Sequence, residues 1–127
     1  MMVVDTSALM AILLNEPESD ACIAALEADA NVAISAGTLV EALIVSSGRK
    51  VSPDLIELVD SMVLDVVPVA RDSALRAGDA FSRWGKGSHR AGLNFGDCFA
   101  YALAKERACP LLYVGNDFAK TDVLSVL

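Results

Sequence analysis

The chain has 127 residues, of which 54% are hydrophobic and 21% charged; this suits one folded domain with a sizeable core and excludes a disordered chain. No apolar stretch approaches the ~20 residues that span a bilayer, and no basic, apolar and cleavable leader precedes the first apolar run, so we expect neither a membrane segment nor a signal peptide. The formal net charge of -7 argues at first against a nucleic-acid partner, but it is unevenly spread: residues 1–70 carry eleven acids and two bases, residues 71–107 seven bases and four acids.

Taken in chain order, residues 2–5 read as a short apolar strand that delivers Asp5 to its C-terminal tip. Thr6 to Leu14 follows as a helix whose hydroxyl residues suit its start. Residues 17–29 open on Pro17-Glu18, a first-turn signature. Residues 32–35 form a second apolar strand. The helix over 37–48 is nearly all apolar apart from Glu41 and ends at Gly48. Ser52-Pro53-Asp54 starts another helix, with Leu55, Leu58, Val59 and Met62 at helical spacing. A third strand is expected over 66–69. The helix from Arg71 to Trp84 is amphipathic, with Ala74, Leu75, Ala77, Gly78 and Phe81 expected inward. Residues 85–92 read as a basic, glycine-rich loop. The last long helix runs from Gly96 to Arg107, and Pro110 separates it from a final strand over 111–114. Strands alternating with helices imply an α/β sandwich around a mostly parallel sheet. Cys22, Cys98 and Cys109 form no CxxC and no zinc pattern, and read as small buried residues in a reducing, cytoplasmic compartment.

Four acids lie in apolar surroundings: Asp5, Glu41, Asp97 and Asp117. Burying such carboxylates costs several kcal/mol each unless something compensates them. A shared Mg²⁺ or Mn²⁺, a hard cation that prefers oxygen ligands, would do so. It would also allow hydrolysis of a phosphodiester by activated water. Asp5 and Asp97 read as direct ligands, Glu41 as a ligand or water-orienting base, and Asp117 as completing the ring. Asp122 is a further candidate. Each has a structural explanation: Asp5 as an N-cap, Asp97 as a first-turn acid, Asp117 as a turn residue, Glu41 as half of a core ion pair. Thr6 and Ser7 can bond the site carboxylates as well as cap the helix. Lys86 and Arg90 can contact phosphates. His89 reads as a surface or substrate-contact residue, and Trp84 and Phe81 as core or dimer contacts.

The order of these residues resembles the PIN-domain nucleases, and among them the VapC toxins of bacterial VapBC toxin–antitoxin pairs. The segments that carry the resemblance are Val3-Val4-Asp5-Thr6-Ser7-Ala8-Leu9, Glu41 on the helix after the second strand, His89 to Ala104 around Gly96-Asp97-Cys98, and Leu111 to Asp122 with its Asp117-Phe118-Ala119-Lys120-Thr121-Asp122 stretch. The resemblance covers essentially all of residues 1–127. It implies one PIN-like domain, Mg²⁺- or Mn²⁺-dependent endoribonuclease activity, a VapB-type antitoxin partner and a homodimer. Many relatives carry an acid or asparagine slightly before the fourth position, where this chain has Gly115-Asn116, so Asp117, Asp122 and Asn116 all remain candidates to complete the site. A phosphatase using Asp5 as nucleophile would want an aspartate where Ser7 stands. A receiver domain would want an acidic pair and a late lysine that are not evident. A binding-only PIN scaffold is the non-enzymatic rival.

Overall fold

A computed structural model describes all 127 residues. Four strands, β1 (Met2–Val4), β2 (Val32–Ser35), β3 (Leu64–Val67) and β4 (Leu111–Leu112), form one sheet in the order β3-β2-β1-β4 with every pairing parallel. Helices α1 (Thr6–Leu13), α2 (Ser19–Ala28), α3 (Ala36–Gly48), α4 (Ser52–Ser61), α5 (Arg71–Trp84) and α6 (Phe95–Glu106) cover it.

The alternation of side chains along each strand divides the core in two. Val3, Ala33 and Leu111 point to one face and pack with α5 and α6 residues such as Ala77, Ala80, Ala100 and Leu103. Met2, Val4, Val32, Ile34 and Leu112 point to the other and pack with Leu9, Cys22, Ala42 and Leu55. Continuous valine- and isoleucine-rich strands are what a sheet buried on both faces requires. The C-terminal tail runs beside β4, through Leu111 N–H to Leu124 O and Val126 N–H to Leu111 O. That covers an edge that would otherwise expose unpaired backbone groups.

The chain builds outward from β1 through β2 to β3, then returns to place β4 on the other side of β1. This reversal makes the C-terminal ends of β1 and β4 a topological switch point, the place where open α/β sheets present ligand sites.

The structure corrects several sequence expectations. The third strand is Leu64–Val67 rather than 66–69: Leu64 registers with Val32, and Pro68, lacking an N–H, ends the ladder. The last strand is only Leu111–Leu112, because the Val114 N–H is diverted to Ser7 Oγ. Helix α2 begins at Ser19, two residues after Pro17. On α5 only Ala77 and Ala80 are fully buried, whereas Ala74, Leu75, Gly78 and Phe81 are exposed; the helix meets α6 along a narrow stripe of small residues. Helix α3 leaves Val40, Leu43, Ile44 and Val45 exposed. It crosses α6 closely at Gly37, where a Cβ would lie 2.6 Å from the Phe99 ring.

Candidate active site

Asp5 directly follows β1 and is 2% exposed. It is also the N-cap of α1, so its local role and its place at the switch point coincide. One oxygen, Oδ2, accepts from Ser7 N–H (3.0 Å) and Ser7 Oγ (2.7 Å). The other, Oδ1, is buried with no partner. Ser7 Oγ in turn accepts from Val114 N–H at 3.0 Å, which fastens the tips of β1 and β4 together. A buried carboxylate oxygen without a donor carries a heavy desolvation cost. Burial accordingly pushes the Asp5 carboxyl up from 3.8 to about 7, with the charges of Asp97 and Glu41 adding to the rise and the Ser7 bonds opposing it.

Asp97 is the third residue of α6. Its backbone N–H donates to Asn94 Oδ1 (2.9 Å), and its Oδ2 accepts from Asn94 N–H (3.0 Å), a reciprocal capping box. Burial raises its carboxyl to about 6 against the Asn94 bond, and the charges of Glu41 and Asp117 raise it further. Asn94 was not singled out in the sequence, although an asparagine three residues before an aspartate at a helix start is the signal for such a pair. Burial first, then the Asp97 charge, push the thiol of Cys98 beside it up to about 11, away from the thiolate form.

Glu41 reaches in from the middle of α3. Its Oε1 accepts from Thr6 Oγ1 at 2.7 Å, and Thr6 Oγ1 lies 3.3 Å from the carbonyl of Thr38. No basic side chain pairs with Glu41, so the core ion pair considered from sequence does not form. Asp117 is exposed in the turn after β4. Gly115, at φ 107°, allows that turn because a side chain there would be strained. Asn116 is exposed beside it.

Asp122 is committed elsewhere. It accepts from Tyr101 Oη, which itself accepts from Trp84 Nε1 (2.9 Å), and pairs with Lys105 Nζ (3.3 Å). The Tyr101 bond, then Lys105, hold its carboxyl below the usual value.

Asp5, Glu41 and Asp97 thus share one electrostatic neighbourhood, with Asp117 at its margin beside Asp97. An all-oxygen donor set, a raised pair of acids and an orphaned Asp5 Oδ1 fit a hard divalent cation. No three of the histidine, cysteine, aspartate and glutamate side chains are already gathered into a cluster that would enclose an ion.

A family model described as the PIN domain matches residues 2–124. The chain belongs to the PIN-domain family. Within it, the chain is 44% identical over 128 residues to the VapC ribonuclease Mb0640 of Mycobacterium bovis, covering 98% of both. It is also 44% identical to Ribonuclease VapC of Mycolicibacterium smegmatis, covering 98% of this chain and 99% of that one. The likeness places this PIN domain with the VapC ribonucleases. The same fold recurs in VapC20 of Mycobacterium tuberculosis, a toxin that cleaves the sarcin-ricin loop (TM-score 0.81, 16% identity, 99% and 98% of the two chains). It recurs again in VapBC2 of Rickettsia felis bound to promoter DNA (TM-score 0.74, 16% identity, 98% and 95%).

In this PIN domain the basic loop leads straight into Asn94. Gly85 and Leu93 close its neck, with Lys86 N–H to Leu93 O at 2.9 Å and Leu93 N–H to Trp84 O at 3.0 Å. Lys86 and Arg90 are both exposed on it. His89, read as a surface or substrate-contact residue, is half-buried; its ring stands edge-on to Trp84 at 4.8 Å, and its Nδ1 accepts from Ala91 N–H at 3.0 Å. It shapes the loop from within. Trp84 is half-buried against the core, as expected.

Proposed function

We propose that the chain is the toxin of a VapBC-type pair and hydrolyses RNA phosphodiester bonds with the help of Mg²⁺ or Mn²⁺. The observation that carries this reading is Asp5 Oδ1, buried and unpartnered at the switch point with the carboxylates of Asp97 and Glu41 beside it. Bound there, the cation would neutralise charge on the scissile phosphate and acidify water. Asp5 and Asp97 would hold it, each with one oxygen already fixed by the backbone and the other free. Glu41, oriented by Thr6, would bind it directly or through a water and so orient the attacking water. Asp117, with Asn116 beside it, would complete the rim, while Ser7 keeps the two strand tips in register. Asp122 supports the site from outside by anchoring the segment after β4. Lys86 and Arg90 would steady the RNA backbone.

Two surfaces support partners. Helices α1, α2 and α4 frame an apolar cleft of about 610 Å³ lined by Ile12, Ile23, Leu26, Leu58, Met62 and Val63, with the acid Glu27 also in its lining. An apolar arm of a VapB-type antitoxin carrying basic residues fits that chemistry. Exposed Val40 and Ile44 on α3 and Phe95 on α6 support a homodimer, since apolar side chains left open commonly mark contact sites. Three free cysteines suit the cytoplasm, and no helix is long and apolar enough to cross a membrane.

The test is cleavage of total cellular RNA by purified protein with Mg²⁺ or Mn²⁺, with EDTA, and with Asp5→Asn. Discrete products that need metal and fall at least ~100-fold in the variant are expected. Equal metal-dependent rates for both proteins would overturn the site assignment, and no cleavage under any metal would leave a binding-only scaffold.

A further inference from the structure

We infer that Gly96 is the seat of the Glu41 carboxylate, a positioning residue that keeps this acid beside Asp97 by leaving room for nothing else. Its consequence for cation binding rests on the metal-dependent reading above; its geometry does not.

Gly96 is the second residue of α6 and is buried. Its φ is not positive, so the backbone there is open to any residue, and glycine weakens a helix relative to alanine. What requires glycine is the space. A Cβ at this position would lie 1.7 Å from Glu41 Oε2, 2.4 Å from Cδ and 2.9 Å from Oε1. All three nearest atoms belong to that one carboxyl group. On its other side the same carboxyl is held by Thr6 Oγ1 at 2.7 Å. Glu41 therefore lies in a slot between a hydroxyl on α1 and bare backbone at the positive end of α6, where a carboxylate is electrostatically favoured.

Gly37 marks the contrast. A Cβ there would meet the Phe99 ring at 2.6, 2.7 and 2.9 Å, a bulky group wedged at a helix crossing that cannot step aside. A methyl at Gly37 opposes the fold. A methyl at Gly96 meets first the carboxyl end of a flexible side chain, which can swing away. Gly96→Ala should leave the fold whole, and even strengthen α6, while pushing Glu41 off Thr6 and out of the site.

The two effects have opposite signs, which separates positioning from support. The experiment compares wild type, Gly96→Ala, Glu41→Asp and the double variant by calorimetric Mn²⁺ titration, melting of the metal-free protein, and a crystal structure of metal-free Gly96→Ala. We expect Gly96→Ala to melt at or above the wild-type temperature and to bind Mn²⁺ ~10-fold or more weakly, the range seen when a ligand's support is removed. Adding Glu41→Asp, one methylene shorter, should cost Gly96→Ala little more, so the two losses are not additive. Wild-type affinity in Gly96→Ala, or a drop in melting temperature accompanying weaker binding, would overturn the inference. If wild type itself binds no Mn²⁺, the metal reading falls, and the crystal structure still decides the seat. Glu41 displaced from Thr6 supports it, and Glu41 still bonded to Thr6 refutes it.

Discussion

Asp5 and Asp122 are the same residue type in opposite states. Asp122 accepts from Tyr101 and pairs with Lys105, and those partners draw its carboxyl below the usual value. Asp5 has one oxygen satisfied by Ser7 and one satisfied by nothing, and burial drives its carboxyl up to about 7. The region around Asp122 is complete within the chain and acts as scaffold. The region around Asp5 has no cationic partner within the chain, and the proposed cation site rests on that difference.

The sharpest way to break the comparison is pH. A carboxyl raised in the folded state contributes stability that is full below its unfolded value and is lost as pH rises through the folded one. For Asp5 that window runs from 3.8 to about 7. At ~1.4 kcal/mol per pH unit, the metal-free protein should lose about 4 kcal/mol across it through this group alone. Asp97, raised to about 6, acts in the same direction over a shorter window, with less effect because it is only partly buried. Asp122 acts oppositely, losing stability only as pH falls through its lowered value. Denaturant melts of metal-free protein between pH 4 and 8 check this, and Asp5→Asn should flatten the fall. A profile that rises over the window would reverse the assignment.

The next effect is the cation. At a hundredfold excess over its dissociation constant it should add about 2.7 kcal/mol, or on the order of 10 °C in Tm for a chain of this size. The gain should shrink as pH drops below 7, because protons and metal compete for the same oxygens. Asp97→Asn should lose most of the shift in a thermal scan, while Lys105→Ala, which strips a partner from Asp122, should retain it.

Smaller still is Tyr101→Phe, which leaves Trp84 Nε1 without a partner and Asp122 with Lys105 alone. It should cost ~1–2 kcal/mol of stability and leave Mn²⁺ affinity unchanged. A matching loss of affinity would show that the scaffold and the site are one unit. The smallest effect belongs to Lys86→Ala. It should weaken RNA binding modestly and lower the salt dependence by roughly one ion, a change readable by filter binding across a salt series.

Sequence reading reached those features whose causes are local. Valine-rich runs between helical patterns placed the first residue of three of the four strands, and Asp5, at the end of the first run, stood at the switch point. The β3 boundary slipped because Val66-Val67-Pro68-Val69 looks more strand-like than Leu64-Asp65, whereas pairing with Val32 decided it. The α5 face was misread for a similar reason. Periodicity marks a possible stripe, but the width of that stripe depends on how closely α6 approaches, and small residues at Ala77 and Ala80 allowed a narrow one. Asn94 passed unnoticed because a cap and a site residue carry the same local signal.

By itself the sequence determined an alternating α/β chain, a carboxylate at the first strand tip and three more acids in a fixed order, because periodicity, capping and turn chemistry act within a few residues. The tertiary structure alone decided which oxygens are spent and which are free. Thr6 finds Glu41 across 35 residues, and Val114 finds Ser7 across 107. Such contacts follow from strand order and helix approach, which no short window of sequence contains.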